Sequence, residues 1–320
     1  MKTFLKILLS LLLIIFLIGI GFYILLPLFN IENSVVSENI LFKKKDEEIK
    51  DKQKESDKFS FVVLSDSNGG GGSINQPLAF QNIIQEIASS EDKPDFVIHN
   101  GDMIAGTSAT SSTLALQMWD EFKKVAVNPL HENNIGFFPS PGNHDASFNS
   151  TLPQAYEEFW GNYENIKDFE VEGNYSKYYS FSYHNSYFII LSGAKINIDP
   201  EQLTWLENDV NKTSEYNNVF VFSHIPLIAA SNYHPNDKLS PNDKIKDILK
   251  GNIKAFFGAH HNVFYDVELD GIRQIGVGRA GSGGAYQLIS ELGGGSQDYL
   301  SYIKVEVEED NFEIEQIIKK

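Results

Sequence analysis

The sequence predicts an α/β fold of two packed mixed β-sheets flanked by helices, an α-β-β-α sandwich, preceded by one N-terminal transmembrane helix. Three observations lead there: short apolar runs that stop at Asp, Asn, Gly or His, helical spacing between the early runs, and one long uncharged apolar stretch near the start. With 42% hydrophobic residues among 320, the chain can bury a sizeable core.

The long stretch, residues 7–29, reads ILLSLLLIIFLIGIGFYILLPLF, with Ser10 as its clearest polar interruption. It suffices to cross a hydrocarbon layer of ~30 Å as one helix, and no small-x-small cleavage site follows it. Lys2 and Lys6 precede it, so the positive-inside rule keeps residues 1–6 in the cytoplasm. The expected localisation is therefore a single-pass membrane protein, N-terminus inside, with a signal-anchor helix in the lipid bilayer and an extracytoplasmic catalytic domain. Residues 30–58 contain KKKDEEIKDKQKESDK, mixed in sign and almost devoid of apolar side chains, and read as a charged linker or stalk. The folded domain is expected over 59–320.

In that domain, residues 61–64 (FVVL) and 96–98 (FVI) are buried-strand patterns with polar C-terminal ends. Ile83, Ile84 and Ile87 fall at helical spacing between them, so the first unit is strand, helix, strand. A second helix is expected over 114–127, then a short strand at Phe137 and Phe138 and a turn at Pro141 and Gly142. Residues 178–183 and 187–191 form an expected hairpin, Pro200 opens a helix to residue 211, and 219–222 is a further buried strand. Residues 255–257 and 263–267 continue the sheet. Ile303, Val305 and Val307 alternate with polar residues, and Phe312 and Ile314 begin the returning strand of a terminal hairpin.

Composition excludes several classes of function. Lys plus Arg total 26 against 43 Asp plus Glu, a net charge of -17 that repels polyanions, so no nucleic-acid partner is expected. Cysteine is absent, which removes disulfides, thiolate metal sites and cysteine nucleophiles. Any metal must be held by Asp, Asn, Glu, His or carbonyl groups.

Five segments carry chemistry: Asp66-Ser67-Asn68, Gly101-Asp102, Gly142-Asn143-His144-Asp145, Ser223-His224 and Ala259-His260-His261-Asn262. Each follows a predicted strand. Taken singly, an Asp after a strand is a turn or cap and a lone His is a solvated or packed residue. Taken together, at strand ends that a sheet brings to one edge, they describe a metal centre. Carboxylate, amide oxygen and imidazole suit Mn, Fe, Zn or Mg, and one carboxylate, Asp102, can bridge two ions ~3.5–4 Å apart. Such a pair neutralises a phosphoryl group and activates a water, which is most of what phosphoryl transfer requires.

With these residues in view, the chain resembles the calcineurin-like metallophosphoesterase superfamily, whose signature is D-x-H, G-D, G-N-H-[D/E], a lone His and G-H-x-H. The resemblance spans 59–280 and is strongest at PSPGNHD, which contains Asn143, and at VFSHIPL, which contains His224. It implies a metal-dependent phosphoesterase that hydrolyses a phosphomonoester or phosphodiester by attack of a metal-activated hydroxide on phosphorus, with two divalent ions as cofactors and a small phosphorylated substrate. By the same resemblance Asp102 bridges the ions, Asn143, His224 and a His of the last motif hold one of them, and Asp66 helps to hold the other. His144 contacts phosphate or protonates the leaving oxygen, and Asp145 orients His144.

The chain departs from that signature twice. Asn68 stands where the first motif has His, and the last motif can be read in two registers. One uses His260 and Asn262, the other His261; the first is preferred because Val263-Phe264 then falls at an expected apolar-aromatic pair. Losing both imidazoles from one ion position also raises a rival class, a metal-depleted, non-catalytic surface binding or scaffold protein on the same fold. Gly69 to Gly72 lack the Lys and Ser/Thr of a P-loop and read as a rim of the metal cleft. His131, His184 and His234 are expected on surfaces or loops, and His99 as a packed residue or one that supports the metal ligands from behind.

Overall fold

Strand β1 (Lys58–Leu64) shows how the layers arise. Successive side chains of a strand point to opposite faces. Here Phe61 and Val63 enter one apolar cluster while Val62 and Leu64 enter another. β2 (Phe96–His99) repeats the division, with Phe96 and Ile98 on one side and Val97 on the other. Such two-sided strands require a layer on each face, and the chain supplies both. The computed structural model describes residues 58–161, 163, 169–281 and 284–319.

Between β1 and β2 lies α1 (Leu78–Ser89), whose Phe80, Ile83, Ile84 and Ile87 are buried on one stripe. α2 (Ser112–Phe122) starts two residues before the predicted position, at a Ser111 cap whose hydroxyl accepts the Leu114 N–H at 3.2 Å. It continues through a π-helical turn (Lys123–Val127) into α3 (Asn128–Glu132) before β3 (Gly136–Pro139). α4 (Asn143–Ala146) and α5 (Thr151–Gly161) follow. Then come β4 (Val171–Asn174), β5 (Tyr178–Tyr183), β6 (Ser186–Ile190), α6 (Pro200–Val210) and β7 (Asn218–Ser223). The second half is completed by α7 (Asn242–Leu249), β8 (Ala255–Gly258), β9 (Phe264–Leu269) and β10 (Ile272–Val277). A small ribbon, β11 (Tyr286–Gln287) with β12 (Ser296–Gln297), precedes the terminal hairpin β13 (Leu300–Glu308) and β14 (Asn311–Lys319).

The first sheet has the order β14-β13-β1-β2-β3, with β1, β2 and β3 parallel. The second has the order β4-β5-β6-β7-β8-β10-β9, with β6, β7, β8 and β10 parallel. Phe61, Phe96 and Phe138 of the first sheet pack against Phe181, Phe188, Phe222 and Phe257 of the second, and this aromatic interface is the inner core. Helices α1, α2 and α5 cover the outer face of the first sheet, and α6 and α7 that of the second. The α-β-β-α order expected from the strand patterns is the one observed. β10 escapes the sequence pattern because Arg273 and Gln274 interrupt its apolar run, yet it inserts between β8 and β9.

Strand β1 begins at Lys58, one residue inside the expected linker. The predicted membrane span 7–29, with residues 1–6 and nearly all of the linker, lies outside the described residues. Among the described residues no helix is long and apolar enough to cross a membrane.

Candidate metal centre

Parallel strands share a direction, so the loops after β1, β2, β3, β7 and β8 leave the sheets at one edge, where open α/β sheets place ligand sites. Hydrogen bonds stitch these loops together. The Asp66 N–H donates to the Gly101 carbonyl at 3.0 Å, and the N–H groups of Ser67 and Asn68 both reach the Asp102 carbonyl at 3.1 Å. Asn100 clasps the two sheets, its side-chain amide donating to the carbonyls of Ser223 and Phe257, each at 3.0 Å.

The backbone is strained here. Of nine non-glycine residues with positive φ among the described residues, four are Asp66 (48°), Asp102 (58°), His260 (65°) and Asn262 (57°). Such conformations cost ~1–3 kcal/mol each and persist where the surroundings over-determine them. Gly101 sits at φ 90°, and a Cβ there would stand 2.6 Å from the His224 ring. One on Gly142 would stand 2.3 Å from Asp102 Oδ1. Both glycines let a donor approach the backbone that supports it.

Asp66, Asp102 and His224 are all buried, and their potential ligand atoms lie within 4.8 Å of one another. His224 Nδ1 is 3.0 Å from the Asn100 carbonyl, a contact that is attractive only if Nδ1 carries the proton. Its Nε2 then faces Asn143 Oδ1 at 3.0 Å and Asp102 Oδ2 at 3.4 Å. With a neutral imidazole, lone pairs would converge on lone pairs, so the arrangement calls for a cation, either a proton on Nε2 or a metal ion in its place. The titration of the groups agrees. Burial alone would depress His224, yet Asp102 and then Asp66 carry the imidazole up to about 9. Burial pushes Asp66 up to about 7, His224 opposing this and Asp102 adding to it. Burial also penalises the Asp102 anion, but the charge and hydrogen bond of His224, with His144, hold it below the ordinary carboxylate range. With protons alone the two carboxylates resist ionising together; a divalent ion removes that conflict, so the donor set fits one.

His144 Nδ1 is 2.7 Å from the Gly106 carbonyl, and its Nε2 stands 3.9 Å from Asp102 Oδ2 at the floor of the cleft. The expectation that Asp145 orients His144 is corrected here. Asp145 is fully buried, and its carboxylate accepts four backbone N–H groups: Asp102 at 2.7 Å, Gly142 at 2.8 Å, Met103 at 2.9 Å and Ile104 at 3.0 Å. That consumes its acceptor capacity, and it shapes the loop bearing Asp102 while Gly106 orients the imidazole.

Asn68 donates its amide to the Ile104 carbonyl at 3.3 Å and Asn262 to that of His260 at 3.1 Å, and both side chains line the cleft. His260 lines it too, whereas the neighbouring His261 is turned away with both ring nitrogens engaged by main-chain groups. His234, expected on a surface or loop, lies on a loop that lines the cleft, as does Asp237 of the same loop. Sequence reading missed the pair because nothing marks a loop residue as reaching back to a strand end; His-Pro-Asn-Asp at 234–237, two donors with a proline between them, was the available signal. Gly69 to Gly72 are not among the residues that line the cleft, and the Gly72 N–H donates to the Ala105 carbonyl at 2.7 Å.

The cleft measures about 660 Å³. Besides these donors it is bounded by Phe148, Ile196, Tyr233 and Tyr286, and Lys195 is the one lysine or arginine in its lining.

The sequence matches the family described as calcineurin-like phosphoesterase over residues 59–264. No curated protein matches it significantly. Among solved structures, that of PhoD is similar with a TM-score of 0.53 and 13% identity, over 79% of this chain and 64% of that one, so the chain spans just under two thirds of PhoD's length. GAP50, the anchor in the inner membrane complex of Plasmodium, is similar with a TM-score of 0.51 and 12% identity, over 82% of this chain and 85% of that one. At such identities the likeness is one of fold. The family match, however, runs from β1 to the start of β9 and so takes in every loop at the donor-bearing edge: the chain belongs to the calcineurin-like phosphoesterase family.

Proposed function

We propose that this chain is a divalent-metal-dependent phosphoesterase acting on a small phosphomonoester or phosphodiester, tethered outside the cytoplasm by residues 7–29. The observation that carries the reading is the convergence of Asp66, Asp102 and His224, with Asn143 beside them, as electron-pair donors around a position that a proton on His224 fills and a divalent ion can take. Asn143 and His224 would hold one ion together with Asp102, and Asp66 would help to hold a second, while Asn68, His260 and Asn262 line the same cleft. Bound divalent ions supply Lewis-acid neutralisation of the phosphoryl oxygens and acidify a water. His144, exposed to the cleft through Nε2, binds a phosphate oxygen and delivers the proton at Nε2 to the leaving oxygen, with Nδ1 held against Gly106. Lys195 offers the cleft a positive charge for the incoming anion. The excess of acidic residues supports a small substrate over a polynucleotide. The tether rests on the uncharged length of 7–29 and on Lys2 and Lys6 before it.

The test is hydrolysis of an activated phosphomonoester and phosphodiester by the chelator-treated protein, before and after adding Mn, Zn or Mg. Activity should require metal, and Asp102→Ala or His224→Ala should remove most of it. A metal-replete protein inert towards both ester classes would refute the reading.

A further inference from the structure

The chain's second ion is expected where Asn68 and Asn262 replace the family's histidines, a position left with weak neutral amides. Three stronger donors stand together on the same cleft. His260 Nε2 lies 2.9 Å from Asp237 Oδ2, and His234 Nδ1 lies 3.1 Å from that same oxygen. All three potential ligand atoms fall within 4.8 Å of one another. The two imidazoles are stacked with centroids 4.3 Å apart and planes at 29°, so their nitrogens reach the carboxylate side by side.

Taking these distances with the chemistry of the donors, we propose that His234, Asp237 and His260 form a metal site for a late first-row divalent ion such as zinc, with a position left open towards the cleft. Tetrahedral bonds of about 2.0–2.2 Å separate neighbouring ligand atoms by roughly 3.3–3.5 Å, so small side-chain adjustments convert the observed contacts into a coordination shell. Two imidazoles and one carboxylate are a borderline donor set that prefers zinc, iron or manganese to magnesium. The loop bearing two of the ligands is fixed in place. His261, next to ligand His260, joins three main-chain groups of that loop, at Ala230, Ser231 and Asp237. His260 itself holds a left-handed backbone at φ 65°, with its N–H donating to Asp66 Oδ2 at 3.2 Å. The loop between β7 and α7 thereby supplies an imidazole and a carboxylate beside the first and last motifs, where two imidazoles are replaced by Asn68 and Asn262. This inference deepens the phosphoesterase reading and rests on it for the role of the ion, but not for its binding.

The test is zinc content. The full-length protein and its His234→Gln and Asp237→Asn variants are stripped with chelator, loaded with zinc, passed through gel filtration and analysed for zinc per chain, with circular dichroism to verify folding. Loss of a neighbour that merely orients a ligand costs ~10–100-fold in affinity, so loss of a ligand should cost at least as much, and each folded variant should retain one zinc fewer than the parent. Replacing zinc by cobalt should give a ligand-field absorption in the parent that both variants diminish. Folded variants that keep the parent's zinc content and cobalt spectrum would overturn the site. Phosphoester hydrolysis by the parent is scored separately: an inert parent whose variants still lose a zinc sinks the phosphoesterase reading and keeps the site, and an active parent whose variants lose none does the reverse.

Discussion

His261 Nε2 donates to the main-chain carbonyl of Asp237 across 2.8 Å, which makes a buried histidine with no place on the cleft the clip for a loop that does line it. The other nitrogen, Nδ1, accepts the N–H groups of Ala230 at 3.1 Å and Ser231 at 2.9 Å. Only the tautomer protonated at Nε2 meets all three partners.

Removing the clip should therefore loosen the loop. His261→Ala leaves two buried N–H groups and one carbonyl without partners, at ~1–3 kcal/mol each where water cannot reach them. We expect about 2 kcal/mol or more of lost stability in denaturant titrations, together with faster hydrogen exchange at Ala230 and Ser231. Unchanged exchange at those two amides would count against the clip.

Asp145 should behave as a scaffold. Asp145→Ala orphans four N–H groups in the loop that carries Asp102 and should cost 3 kcal/mol or more. Asp145→Asn should lower activity while leaving the shape of the pH–rate profile intact, because Gly106 still fixes His144. A profile displaced by Asp145→Asn would restore a direct partnership between the two side chains.

Gly101→Ala should cripple the centre where Gly72→Ala does not. Both glycines have positive φ, 90° and 82°, but a Cβ on Gly101 meets the His224 ring at 2.6 Å whereas one on Gly72 meets nothing within 4 Å. The Gly72 variant should lose about 1 kcal/mol from backbone strain alone. The Gly101 variant should lose more, and with it most metal affinity. Equal metal binding by the two variants would separate Gly101 from the placement of His224.

Stability should fall in acid through His99. Burial, with His224 adding to it, pushes this imidazole down to about 3. The unfolded chain takes up a proton near the ordinary value of 6.5, while the folded chain does not until about 3. Its contribution is thus fully present above pH 6.5 and is lost as pH falls towards 3, at about 1.4 kcal/mol per pH unit. His99→Phe should flatten that part of the stability curve, measured by denaturation between pH 7 and 4. A variant with the parent's slope would show that His99 does not carry it.

The expected topology is tested with protease applied to intact cells. The domain from residue 58 onward should be digested without permeabilisation; complete protection, with a permeabilised control cut, would place it inside.

The sequence by itself determined the layers and the edge on which chemistry is gathered. Continuous apolar runs such as that of Phe61 to Leu64 demand burial on both faces of a strand, and Asp66, Asp102, Asn143, His224 and His260 each follow such a strand by a few residues. Short-range chemistry of this kind is written in consecutive letters. The tertiary structure alone decided which groups meet. Asp145 stands next to His144 in the chain but spends its carboxylate on four amides, three of them about forty residues away, because a buried anion is held best by N–H groups that cannot leave. His234 and Asp237 come to His260 because His261 binds their loop to the end of β8. No local pattern encodes such a contact: the partners lie more than twenty residues apart, and the hydrogen bonds that join them link the loops that follow β7 and β8, which pair side by side in the second sheet.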